Sequence, residues 1–159
     1  MKTDPSARII KLRLDERTVV RRSPEVEQER RVAIYDLLED NTFVPAGTDS
    51  GPYSLHLSIQ ENRLLFNICD SNEKELAELT LSLTPFRNVV REYFMICESY
   101  FEAIKTATPS RIETLDMARR GSHDEGSHLL RECLTNKIKT DFSTARRLFT
   151  LICVLHIKG

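Results

Sequence analysis

Apolar residues Ile10, Leu12 and Leu14 alternate with Lys11 and Arg13, the period-two pattern of a strand with one face in the core. Ser23-Pro24 then supplies a helix cap with proline at the first helical position. Val26, Ala33, Ile34, Leu37 and Leu38 predict a helix over about 24–40. Pro45, Gly47, Gly51 and Pro52 end it. The clearest alternation follows: Tyr53, Leu55, Leu57 and Ile59, then Leu64, Phe66 and Ile68, then Leu79, Leu81 and Leu83. The Glu61-Asn62 turn and the Asp70–Asn72 turn separate these runs, so they predict an antiparallel meander with one polar face.

After residue 84 the period changes. Thr84-Pro85 opens a helix whose stripe is Phe86, Val89, Val90, Tyr93, Phe94, Cys97, Tyr100, Phe101 and Ile104. Thr108-Pro109 opens another, carrying Ile112, Leu115 and Ala118, with Gly121 as its expected left-handed stop. A fourth helix is expected from Asp124 to Leu134, and a fifth from Ser143 to His156. That last helix is apolar on most sides, which marks it as central in the core. The prediction is an α+β fold: an antiparallel β-meander of 3–4 strands packed on about five helices. One domain spans 1–159, strand-rich over 8–83 and helical over 84–157.

Composition sets outer limits. The 159 residues, 40% hydrophobic and 30% charged, suit a globular domain of this size. The longest apolar run, Leu148 to Ile157, is half of what a membrane span needs, and residues 1–8 lack a signal-peptide core. A cytoplasmic protein with no membrane contact is therefore expected. Cys69, Cys97, Cys133 and Cys153 lie far apart with no C-x-x-C pair, so they read as structural thiols.

The net charge of -1 hides an uneven layout. Residues 1–31 carry nine basic and six acidic side chains, residues 32–83 two and nine, and residues 84–159 twelve and nine. Arginine outnumbers lysine 16 to 7, with doublets at 21–22, 30–31, 119–120 and 146–147. Arginine suits planar recognition of carboxylate or phosphate. Pairing within the chain competes with that role, as for Glu25, Glu27 and Glu29 beside Arg30 and Arg31. Adjacent helical residues diverge by about 100°, so each doublet should offer one residue to a given face. No aromatic RNA-binding platform is present, which argues against nucleic acid.

Several long strings carry a family resemblance: Ser82–Arg87 (SLTPFR), Tyr93–Ile104 (YFMICESYFEAI), Thr106–Pro109 (TATP), Arg119–Gly126 (RRGSHDEG) and Thr144–His156 (TARRLFTLICVLH). They resemble uncharacterised protein family (UPF) 0262, small single-domain bacterial proteins found mainly in alphaproteobacteria. The resemblance covers nearly the whole chain and implies a bacterial cytosolic protein. It brings no catalytic residue or ligand with it.

Chemistry concentrates in Arg119-Arg120-Gly121-Ser122-His123-Asp124-Glu125-Gly126-Ser127-His128. Read as a junction between two helices, this segment would aim free N–H groups at an anion. Arg119 and Arg120 would grip that anion, with His123 as acid or base and Glu125 orienting it. The competing account is helix capping plus pairing of the arginines with Glu113 and Asp116. His123, Glu125 and His128 form H-x-E-x-x-H, which lacks metallopeptidase spacing, and no metal is expected. No P-loop, nucleotide-binding glycine motif or nucleophile elbow occurs, and no cofactor is expected. His56 and His156 read as a strand-face and a core histidine.

Two readings remain. The favoured one is a non-enzymatic binding or regulatory module recognising an acidic protein segment or an anionic small molecule. Its ligand residues would be Arg119, Arg120, His123, Glu125, Arg87 and Arg146, and a homodimer would let acidic and basic surfaces meet. The alternative is a small cofactor-independent enzyme on an anionic metabolite, with His123 and Glu125 as its acid–base pair.

Overall fold

The computed structural model describes residues 6–15, 24–48 and 51–156. Its elements run β1 (Ile9–Leu14), α1 (Pro24–Glu39), β2 (Phe43–Pro45), β3 (Tyr53–Gln60), β4 (Arg63–Cys69) and β5 (Glu75–Ser82). A 3-10 turn (Thr84–Phe86), α2 (Arg87–Thr106), α3 (Pro109–Cys133), β6 (Ile138–Thr140) and α4 (Phe142–His156) follow. The α+β class holds, with four α-helices among the described residues instead of five.

The meander forms as its alternation demands. In β3, β4 and β5 the register stacks Leu55–Ile68–Ala77, Leu57–Phe66–Leu79 and Ile59–Leu64–Leu81 into three apolar rows. Glu61 and Asn62 both take positive φ, 49° and 62°, the geometry of a two-residue hairpin turn matched to strand twist. The fourth strand departs from the antiparallel expectation: β1 pairs parallel with β3, and the sheet order is β1-β3-β4-β5. Parallel neighbours need a crossover, and α1 provides it. A register shift between Ile9 and Lys11 buries Ile9 and turns Ile10 outward at 45% exposure, so Ile10 is not the core residue that simple alternation predicts. β2 and β6 form a separate two-stranded ribbon that hydropathy did not reveal.

Side-chain caps fix the starts of α3 and α4. The Ser23 cap expected for α1 lies outside the described residues. Thr84-Pro85 forms the 3-10 turn, and α2 begins only at Arg87. Thr108 caps α3 as expected, accepting from the Arg111 N–H at 3.3 Å. Asp141 caps α4, which starts at Phe142, its Oδ1 accepting from the Thr144 N–H at 2.8 Å. On α2, the stripe is buried through Cys97, but Ile104 near the end is 51% exposed.

Gly121 does not stop a helix: α3 continues unbroken through Gly121 and Gly126 to Cys133. A Cβ added at Gly121 would meet nothing within 4 Å, so this glycine lies on an open helix face. At Gly126 an added Cβ would lie 2.1 Å from Phe149 Cζ, so this glycine lets α4 pack directly against α3. The central position expected of α4 is what the fold shows. Ala145, Leu148, Phe149, Leu151, Ile152, Cys153, Val154 and Leu155 are all buried.

Candidate functional site

Continuity of α3 removes the loop and the second helix N-terminus that the 119–128 segment was expected to form. Its residues therefore sort by helical face. Gly126, Ser127 and Leu130 turn inward, whereas Glu125 and His128 are exposed.

A cleft of about 350 Å³ lies where α1, α3 and α4 meet, with Tyr93 of α2 at its base. Gln28, Glu29, Val32, Ala33 and Asp36 line it from α1, and Arg119, Arg120 and His123 from α3. From α4 come Ser143, Arg146, Arg147 and Thr150, at spacings that put them on one helical face. The fold brings Arg119, Arg120, His123 and Arg146, all candidates from the sequence, together in one place. Two of its candidates fall elsewhere: neither Arg87, exposed at the start of α2, nor Glu125 lines the cleft. Both members of the 119–120 doublet and both of the 146–147 doublet line it, contrary to the one-per-face expectation. Two adjacent helical positions fall at opposite edges of one face about 100° wide, so both arginines of a doublet reach the cleft.

The arginines differ in how much of their charge is already matched. Arg119 donates to Asp116 at 2.6 Å, lies 3.7 Å from Glu29 of α1, and covers the Tyr100 ring at 4.6 Å from its centroid. Arg120 also pairs with Asp116. Asp116, held by two guanidiniums, stays below the usual carboxylate range. The expected internal pairing of Arg119 and Arg120 is thus present, through Asp116. Arg146 lies 3.4 Å from Asp124, and both side chains are half-exposed. Exposed pairs of this kind contribute about 0–1 kcal/mol, so an incoming carboxylate can displace Asp124 at small cost. Arg147 donates only to a neutral group, the Ser143 Oγ at 2.6 Å, and makes no ion pair among the described residues.

Beneath these cations the base is buried and weakly polar. Glu29 accepts from the Tyr93 hydroxyl at 3.4 Å. Burial raises the Glu29 carboxyl above its ordinary range, while Arg119 and the Tyr93 bond pull the other way. Burial also drives the Tyr93 phenol up and pushes the Cys97 thiol up to about 12, so neither ionises near neutral pH. Cys153, fully enclosed, is shifted up as well. These two thiols are packing groups, as expected, and among the described residues all four cysteines are free.

His123 does not take the role assigned to it. Its Nε2 lies 2.7 Å from Thr150 Oγ1 and its Nδ1 3.4 Å from Ser127 Oγ, while the ring packs edge-on against Tyr93 and Phe149. Glu125 lies on the solvent side of α3 and is not the partner that orients it. Burial first, then the nearby Arg146 and Arg119 charges, push the imidazole down to about 4, against an opposing effect of Asp124. It is neutral at physiological pH and a weak base. The two imidazoles of the H-x-E-x-x-H string also diverge, since His128 stacks on Phe142 at 4.4 Å. Among the described residues no three His, Cys, Asp or Glu side chains gather as metal ligands would.

A pH dependence follows from His123. Its folded pKa lies below its unfolded value of about 6.5, so the unfolded chain binds the proton more readily. Stability is full above the unfolded pKa and falls as pH drops from about 6.5 toward 4, by at most about 3 kcal/mol. Glu29, with its raised pKa, acts in the opposite sense, so the comparison must be made against His123→Gln. Urea denaturation at pH 7.5 and pH 5 should show a loss in the parent that is about 2 kcal/mol larger than in the variant. Equal losses would remove His123 as the cause.

Comparison with known proteins places the chain among close relatives. The model of the uncharacterised protein family UPF0262 matches residues 6–158. A UPF0262 protein of Erythrobacter litoralis is 58% identical over 156 residues, covering 96% of this chain and 98% of that one. Similar proteins from Brucella anthropi and Rhodopseudomonas palustris are 56% and 54% identical over 156 residues. These cover 98% of this chain in both cases, and 97% and 96% of their own lengths. No solved structure matches. Among the described residues no helix is long and apolar enough to cross a membrane.

Proposed function

We propose that this chain, which belongs to the uncharacterised protein family UPF0262, is a binding module that takes a carboxylate-bearing ligand in the cleft between α1, α3 and α4. The observation that carries the reading is Arg147. It lines the cleft beside Arg146 and has only the Ser143 hydroxyl as a partner among the described residues. A guanidinium presents parallel donors that match the two oxygens of a carboxylate, and a partly enclosed site strengthens that match. Arg146 adds a second fork once released from Asp124, and the Gln28 amide N–H group offers a neutral hydrogen bond nearby. Arg119 and Arg120 are held by Asp116 and serve to shape the cleft and set its potential. His123, neutral and buried, contributes a wall and not a proton relay.

A thermal-shift panel of mono-, di- and tricarboxylates tests this. A ligand held at about ten times its Kd stabilises the folded chain by about 1.4 kcal/mol, a rise in Tm of about 3–5 °C. Arg147→Gln should weaken that ligand by about tenfold or more, the loss of one charge-assisted pair. Arg120→Gln should weaken it by less. Equal affinity in Arg147→Gln and the parent would sink the proposal. A response only to acidic peptides, with none to small carboxylates, would replace the small ligand with a protein segment.

A further inference from the structure

A second concavity, of about 460 Å³, lies at the C-terminal end of α3, bordered by the β2–β6 ribbon and the turn that follows α3. Its charge is one-sided. Arg131, Lys137 and Lys139 line it, and no Asp or Glu does. In the antiparallel ribbon Val44 pairs with Lys139, and the Ala46 N–H donates to the Lys137 carbonyl at 2.8 Å. Lys137, in the turn that leads into β6, and Lys139 are both exposed, while Ile138 and Thr140 are buried.

Arg131 is drawn toward that face because its Nε donates to the Thr140 carbonyl at 3.3 Å. Its two terminal nitrogens have no partner among the described residues. None of the three cations has an ion pair there, in contrast to Arg119, Arg120 and Arg146. The Thr140 hydroxyl, in a residue only 6% exposed, also has no hydrogen-bond partner among the described residues. One effect opposes anion binding: the pocket sits past the C-terminus of α3, whose dipole end carries roughly half a negative charge. Three full positive charges exceed that, and the Leu134, Thr135 and Lys137 N–H groups already engage the last carbonyls.

We propose that this pocket is a binding site for a phosphate-class anion, held by Lys137, Lys139 and the Arg131 guanidinium. Three unmatched cations with no carboxylate among the lining residues favour a multiply charged, compact anion over a single carboxylate. Two lysines supply rotatable point charges and the arginine a planar fork, a combination that suits tetrahedral oxyanions. The site is separate from the three-helix cleft and shares no residue with it. Lysines on a short exposed ribbon also discourage strand-to-strand association, and that alone would explain Lys137 and Lys139. It would not explain the tethered Arg131 beside them.

Amide-resolved NMR with inorganic pyrophosphate at constant ionic strength separates the two. Saturable shifts are expected in residues 44–46 and 135–140. The Lys137→Gln, Lys139→Gln double variant should bind about tenfold more weakly or worse. Lys105→Gln, which removes an exposed cation on α2, should bind like the parent. Shifts that fail to saturate, that chloride reproduces at matched ionic strength, or that persist undiminished in the double variant would each overturn the proposal.

Discussion

Asn41→Ala is expected to cost the fold about 3–5 kcal/mol, the largest loss of any single polar truncation considered for this chain. Asn41 is 5% exposed and stands two residues past the end of α1. Its Oδ1 accepts from the Ile9 N–H at 2.7 Å, and its Nδ2 donates to the Ile9 carbonyl at 3.0 Å and the Leu37 carbonyl at 2.7 Å. One amide thus does for β1 what a neighbouring strand would do, at the place where β1 shifts register. It also closes the end of α1. Alanine leaves three buried backbone groups unmet at once, each worth about 1–3 kcal/mol, with partial relief from water and relaxation. Urea denaturation should show the midpoint falling with little change in slope. A loss below about 1 kcal/mol would mean that the β1–α1 junction is held by something else.

The second large effect comes from two glycines five residues apart on one helix. Gly121→Ala should stabilise the chain by about 0.5–1 kcal/mol, since alanine restricts the unfolded chain and the new methyl meets open space. Gly126→Ala gains the same propensity but drives a methyl into Phe149, with ring atoms at 2.1, 2.4 and 2.5 Å. That ring is fully buried and packs edge-on against His123 and Tyr93, with centroids 5.2 and 6.4 Å away, so it has nowhere to swing. Overpacking of this kind outweighs the propensity gain, and a net loss of about 2–4 kcal/mol is expected. Adding Phe149→Leu should recover part of it. Should both glycine variants shift stability in the same direction, the continuous α3 described above would be in error.

The same two glycines show where the sequence was readable and where it was not. Alternation in Tyr53–Ile59 and Leu64–Ile68 fixes strand, turn and face, because a half-buried strand has only one pattern to show. Gly121 reads as a stop for the same local reason, since glycine favours a left-handed C-cap. Tertiary packing of α3 on α4 overrides that preference, and nothing near Gly121 in sequence reveals it. Propensity costs of about 1 kcal/mol are small against the burial of Leu130, Phe149 and their neighbours. The ribbon of β2 and β6 was hidden because three-residue strands carry too little periodicity, and their partners lie far apart in the chain.

At the cleft, the residue types were legible and the partners were not. Arg119, Arg120, His123 and Arg146 were identified by their density in sequence and by the arginine doublets. That Asp116 would engage two of them follows from its three- and four-residue spacing on a helix. Arg147 was legible only as half of the 146–147 doublet, and its place in the cleft follows from the face of α4 it shares with Ser143 and Thr150. Glu125 was assigned to His123 by proximity in sequence alone. Two residues along a helix is a turn of about 200°, which sends the carboxylate to the opposite side.

In the function proposed for this chain, α1, α3 and α4 enclose a carboxylate site gripped by Arg147 and Arg146. Amide-resolved NMR during titration with citrate tests it most directly. Saturable shifts should cluster in residues 28–36, 119–123 and 143–150, and should shrink together in Arg147→Gln. Shifts that leave those three segments unmoved, or that are as large and as tight in Arg147→Gln as in the parent, would contradict it.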